Sequence, residues 1–266
     1  MELNAPTDKL LVTHSASITR IFLNDGTRNN VINAQWVDAL DDAISQAVHE
    51  KSSRVIVIAA EGPHFCQGLD LDALLSGDDA DRVRLFEGFQ RLLTNIQECP
   101  LPVIASVEGN VSGGGLGLIA ACDLVIAKNS ASFMLPEAIA GMIPAIITPF
   151  LLRRLTPARL QALAVSTRSL EAREAHAWGL VDEVTSEDLK RVTDRQCQRL
   201  LRSYPDALTC IKQSIHQAQG LNFEQQNAAA LSHIGNWLEK PEVLDGIQSF
   251  ADGFSPEWFQ KLKKES

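Results

Sequence analysis

Between Lys9 and Asn24 the chain reads KLLVTHSASITRIFLN. Apolar and polar positions alternate, β-branched residues are frequent, and Ser-Ala-Ser breaks the run, a pattern that predicts a β-hairpin. The period then changes. From Ala34 to Glu50, Trp36, Val37, Leu40, Ala43, Ile44, Ala47 and Val48 recur at helical spacing, and RVIVIAA (Arg54–Ala60) follows as a buried strand. Residues 61–77 read as a loop running into a helix, Asp78–Arg82 as a polar, mobile segment, and Val83–Gln97 as a second amphipathic helix. Prolines close that helix and admit a strand over Val103–Glu108. A glycine turn, a short buried helix and a strand over Leu124–Ala127 come next. After SASFMLPEAIAGMIPAIITPFLLRRLTPARLQALAVS (130–166) the apolar positions turn helical and remain so, and strand content fades beyond GLVDEVT (Gly179–Thr185). The expected architecture is an α/β core over residues 1–186 and a helical extension over 187–266, without internal repeat or low-complexity linker.

Chemistry concentrates at two strand-to-helix junctions. GNVSGGGLG (Gly109–Gly117) places five glycines in nine residues, so the chain there turns sharply or lets another group approach its backbone. A turn that opens a helix offers unpaired N–H groups to negative charge. The run lacks the G-x-G-x-x-G order and any nearby P-loop lysine, which excludes a nucleotide-phosphate reading. HFCQGLDL (His64–Leu71) likewise follows a strand, carries a glycine and precedes a helix. Two such turns on neighbouring strands can aim two N–H groups at one oxygen. The third element is Glu137 in FMLPEAIAGMIP. Phe133, Met134, Leu135, Ile139, Met142 and Ile143 are expected to surround it, raising its pKa and suiting it to shuttle a proton. Taken alone, each has a plainer reading: a packing turn, a loop, and an acid at a helix start. Asp70 reads as a helix cap, Asp123 as a loop anchor, and Cys66 as a small buried thiol.

Composition removes other classes. A net charge of -9 with scattered cations leaves no basic stripe for nucleic acid. Five cysteines without CxxC or Cys/His grouping predict neither disulfide framework nor metal site, and a reducing cytoplasm is expected. No membrane segment or signal peptide is legible.

The three elements, in this order and at these intervals, resemble the crotonase (enoyl-CoA hydratase/isomerase) superfamily. The likeness extends over nearly the whole chain, from NNVINAQWVDAL to EAREAHAWGLVDEV. It implies a crotonase-like spiral of ββα units with a C-terminal trimerisation region, forming homotrimers or hexamers. It also implies a thioester enolate held by two backbone amides, those of Leu69 and Gly114, with Glu137 moving the proton and Gln67, Gly68 and Gly113 against the substrate. No cofactor of the protein's own and no metal are implied. The acyl group arrives on phosphopantetheine, as a CoA thioester or on an acyl carrier protein.

Two departures refine the expectation. The first of the two glutamates found in hydratases of this superfamily falls on Gly117, so single-shuttle chemistry is favoured. The Lys/Arg-rich stretch that commonly precedes a C-terminal proline is here FADGFSPEWF, which favours a carrier protein over free CoA. NVSGGGLGLIAACD together with ASFMLPEAIAGMIPAIITPFLLRRLTPAR is similar to the dehydratases of polyketide β-branching cassettes. These convert a 3-hydroxy-3-methylglutaryl group on an acyl carrier protein to the 3-methylglutaconyl form. A Δ3,Δ2-enoyl-CoA isomerase using the same glutamate and a catalytically silent scaffold are the alternatives.

Overall fold

The computed structural model describes residues 9–60 and 62–260. The chain divides into two compact units between Cys197 and Gln198. In the first, β1 (Leu10–Ser15) and β2 (Ile18–Leu23) form the expected hairpin. Ala16 and Ser17 form its tight turn, both with left-handed φ of 49° and 67°. Next come α1 (Ala34–His49), β3 (Val55–Ala60), β4 (His64–Cys66), α2 (Leu71–Ser76) and α3 (Asp79–Glu98). They are followed by β5 (Val103–Val107), β6 (Asn110–Ser112), α4 (Gly114–Ala121), β7 (Leu124–Lys128) and β8 (Ser132–Met134). The unit continues through α5 (Thr148–Leu151), α6 (Pro157–Ser166), β9 (Ser169–Glu171), α7 (Ala172–Trp178) and β10 (Glu183–Thr185). Helix α8 (Leu189–Leu200) spans the division, and α9 (Pro205–Ala218), α10 (Phe223–Leu238) and α11 (Pro241–Ala251) form the second unit.

Strands pair off in a winding that places the site. Each of the pairs β3/β4, β5/β6 and β7/β8 gives its first member to a six-stranded sheet, ordered β1-β2-β3-β5-β7-β10, and its second to a four-stranded sheet, ordered β4-β6-β8-β9. Neighbours from β2 to β10 run parallel, as do β4, β6 and β8. Buried on both faces, the central strands are continuous apolar runs rather than alternating ones: VIVIAA in β3 and VIASV in β5. Because β4 lies beside β6, the loops that follow them, into α2 and into α4, emerge side by side.

Two expectations change. Residues 78–82 are not a mobile segment. Asp78 caps α3 through the Asp81 amide at 2.8 Å, and the Asp81 side chain returns the bond to the Asp78 amide, so the polar stretch is the helix's first turn. The helical run expected after Ser166 is also interrupted: β9 (Ser169–Glu171) is only three residues long, too short to register a period of two.

Candidate active site

The loop into α2 is held by hydrogen bonds from the segment before α1. The Asn30 side-chain amide donates to the carbonyls of His64 and Phe65 at 3.1 and 3.2 Å, and its oxygen accepts the Asp25 amide at 2.8 Å. The Gln67 N–H reaches the Asn29 carbonyl at 3.2 Å, the Ile32 N–H reaches Gly68 O at 2.8 Å, and the Asp70 N–H reaches Ile32 O at 2.9 Å. The last two bonds form a single parallel bridge that brackets Leu69. In such a bridge the bracketed residue turns its own N–H the other way, away from Ile32. Asp70, buried, then caps α2 through the Ala73 N–H at 3.1 Å, accepts from Asn33 at 3.4 Å and pairs with Arg28 at 2.6 Å. Burial alone would raise its pKa. The Ala73 amide, Asn33 and Arg28 outweigh it and hold the carboxyl below the usual aspartate value.

The loop into α4 is held by packing instead. Gly113, with φ of 52°, donates its N–H to Met134 O at 3.0 Å and precedes the first helical residue, Gly114. A Cβ on Gly114 would lie 2.7 Å from Ile32 Cδ1, and one on Gly115 would lie 2.8 Å from the Cys66 carbonyl oxygen. Only bare backbone fits among these elements. As the first residue of the helix, Gly114 has an N–H without an intrahelical partner. Among the described residues neither the Leu69 nor the Gly114 amide has an acceptor.

The structure brings the two turns and the acid together. A Cβ on Gly68 would lie 3.4 Å from the Gly114 nitrogen and 3.5 Å from Gly113 Cα; one on Gly113 would lie 3.2 Å from Glu137 Oε1. Glu137 opens a 3-10 turn, Glu137–Ala140, directly after β8. Its Oε2 is buried and has no hydrogen-bond partner. Burial raises the carboxyl's pKa above the ordinary glutamate value, offset in part by a hydrogen bond from its own backbone amide. The surroundings differ from those expected: Phe133 and Leu135 are buried, but Ile139 and Ile143 are 69% and 77% exposed. Ile139 lies within the 3-10 turn and Ile143 beyond it, and both face outward rather than enclosing the acid. Gln67 is exposed, and its placement is fixed by backbone. Asp123 anchors the Val103 amide at 2.8 Å, and Cys66 is fully buried with a thiol pushed up to about 12 by desolvation.

Sequence reading passed over Ile147. A Cβ at Gly117 would overlap Ile147 Cγ2 and lie 2.7 Å from Ile147 Cβ and 3.4 Å from Leu93 Cδ1. An isoleucine ten positions beyond the acid carries no local signal of that contact. The lacing by Asn30, Arg28 and Asn33 was equally unread, although the paired left-handed Asn29 and Asn30 (φ 57° and 52°) are residues that tolerate that conformation. Among the described residues no group of His, Cys, Asp and Glu is placed to hold a metal, and no helix is long and apolar enough to cross a membrane.

Residues 13–261 match the family model described as enoyl-CoA hydratase/isomerase. Curated relatives include carnitinyl-CoA dehydratase of Proteus mirabilis, 30% identical over 259 residues, covering 94% of this chain and 97% of that protein. The Salmonella typhi protein of the same name is 31% identical over 258 residues, covering 94% and 98%. Among solved structures, Pseudomonas aeruginosa AtuE superposes with a TM-score of 0.88 at 29% identity, covering 95% of this chain and all of that one. Human enoyl coenzyme A hydratase domain-containing protein 3 superposes with a TM-score of 0.90 at 23% identity, covering 94% and 100%, a likeness of fold. The fold is thus the crotonase-like α/β spiral with a helical C-terminal region, and the chain belongs to the enoyl-CoA hydratase/isomerase family as an enzyme of the hydratase/dehydratase type.

Proposed function

We propose that this enzyme removes water from a 3-hydroxyacyl thioester, and that its substrate is a 3-hydroxy-3-methylglutaryl group on an acyl carrier protein, giving the 3-methylglutaconyl form. The observation that carries the reading is the carboxylate of Glu137, its Oε2 buried and without a hydrogen-bond partner, beside the Gly113–Gly114 turn, with Gly117 offering no second acid. The thioester oxygen accepts from the Leu69 and Gly114 N–H groups, against the backbone of Gly68 and Gly113, with Gln67 at the edge of the site. Glu137 takes the C2 proton and the electron pair is held as the enolate. The C3–O bond then breaks, the enolate pair becomes the C2–C3 double bond, and the departing hydroxide takes the proton from Glu137. Water leaves and the carboxylate is restored. Each amide aimed at the enolate oxygen contributes roughly 2.7–4 kcal/mol by precedent, and a raised glutamate pKa brings the acid and base forms closer in population near neutrality.

Delivery on a carrier protein is supported by Asp252–Ser255, which holds no cation where a nucleotide phosphate would want one. In the C-terminal unit that segment borders a cavity lined by Tyr204, Trp237, Phe250, Phe254 and Trp258, where the Arg202 guanidinium is held over the Phe259 ring. Assembly as a homotrimer or hexamer in the cytoplasm is part of the same reading, supported by exposed Ile211, Ile215, Leu231 and Ile234 on α9 and α10. The test is Glu137→Gln assayed on both carriers by mass spectrometry of the acyl group. Wild type is expected to lose one water from the 3-hydroxy-3-methylglutaryl carrier thioester, and the variant to turn over about 10²–10⁴-fold more slowly with its fold intact. Near-wild-type turnover by the variant defeats the assignment. Conversion of a 3-enoyl thioester without exchange of water would instead establish the isomerase.

A further inference from the structure

The same segment that delivers the carboxylate also closes off the space one helical turn away. Glu137 Oε1 sits against Gly113, and ten residues later Ile147, 3% exposed, sits against Gly117 so tightly that a Cβ there would overlap its side chain. Ile147 is fixed in this position because it is the residue before α5, its carbonyl accepting the Leu151 N–H at 3.0 Å, and α5 packs on α4. Leu93 of α3 completes the wall at 3.4 Å. The face of α4 that begins at an acid therefore continues as branched aliphatic carbon. No side chain can project from α4 at this point while Ile147 stays in place, and the atoms nearest to a Cβ there are carbons of Ile147 and Leu93.

The geometry points to Ile147 as a specificity-determining residue: by occupying the side-chain volume of Gly117 it confines the site to one proton carrier. It thereby selects thioesters whose hydroxyl stands on a fully substituted C3. This rests on the dehydratase reading. As the enolate pair forms the C2–C3 double bond, a fully substituted C3 sheds the crowding of its four groups and its alkyl substituents stabilise the alkene being formed, so the hydroxide departs with Glu137 as the sole proton donor. A secondary C3 lacks that help. The atoms balance as before: the C2 proton passes to Glu137 and from it to the departing hydroxide.

Two experiments test the wall and its consequence separately. Melting temperatures of Gly117→Ala, Ile147→Ala and the double variant report on the contact alone. The double variant is expected to lose clearly less than the sum of the single losses, because the second substitution makes room for the first; additive losses overturn the contact. For selectivity, wild type is expected to prefer a tertiary over a secondary 3-hydroxyacyl thioester by at least tenfold in kcat/KM. Gly117→Glu combined with Ile147→Ala is expected to hydrate a 2-butenoyl thioester at least tenfold faster than Gly117→Glu alone. Equal rates in the two variants, or no preference in wild type, overturn the assignment to Ile147. If wild type eliminates water from no 3-hydroxyacyl thioester while the melting temperatures remain coupled, the dehydratase reading has failed, and the selectivity with it, although the packing stands.

Discussion

Two loops meet backbone to backbone beside Glu137, and they are built by opposite means. Residues 64–70 are laced by side-chain and backbone hydrogen bonds to Asp25–Asn33. Residues 113–117 have almost no side chains and are wedged between Ile32, Cys66 and Ile147. A laced loop tolerates volume changes but depends on each polar partner; a wedged loop, tied by the Gly113 N–H to Met134 O, has no side-chain partner to lose and no room to give. The difference teaches where each will break.

The largest effect is expected in the wedged loop. Gly115→Val places carbon against the Cys66 carbonyl and Cβ, backbone-anchored atoms that cannot swing aside. A loss of about 1–3 kcal/mol or more in urea unfolding is expected. Turnover should fall roughly 10²–10³-fold as the Gly114 amide is displaced. A mild loss in both would mean that the helix can slide and that packing does not position it. In the laced loop Asp70→Ala removes a cap and leaves Asn33 and Arg28 without their acceptor, at an expected cost of about 1–3 kcal/mol. Asp70→Asn should recover part of it, since an amide oxygen still caps Ala73. Identical losses for the two would assign the whole effect to the ion pair. Arg28→Met is expected to cost about 1 kcal/mol or less, because the guanidinium is half exposed and screened.

The smallest effect sharpens the comparison through pH, because the carboxylate that caps the laced loop, Asp70, and the one that lies against the wedged loop, Glu137, are perturbed in opposite directions. Glu137 has a folded pKa above its unfolded value, so the folded state binds more protons between the two, and stability falls as pH rises through that window. Glu137→Gln should abolish that fall and leave the protein slightly more stable than wild type at neutral pH. Asp70 has a folded pKa below its unfolded value. Its contribution is complete above the unfolded value and is lost as pH falls through the folded one, so Asp70→Asn should flatten the acid limb only. Melting temperature against pH for the three proteins checks both signs; a parallel shift at every pH would remove the linkage of either residue to folding.

Much of this was written in local pattern. The hairpin, α1, the central strands and α4 follow from apolar period, and the two glycine turns and Glu137 stand out because residues of those types are costly or unusual in their surroundings. Those signals depend on neighbours within one turn or one strand, which the order of residues determines by itself. Convergence was decided only in three dimensions. That Gly68, Gly114 and Glu137 meet depends on β4 pairing with β6 and β6 with β8, contacts between segments tens of residues apart. That Ile147 fills the side-chain volume of Gly117, and that Asn30 and Arg28 reach the first loop, depend on complementary shape and donor direction. A single chain position carries neither quantity, because both belong to pairs that exist only once the sheets have formed.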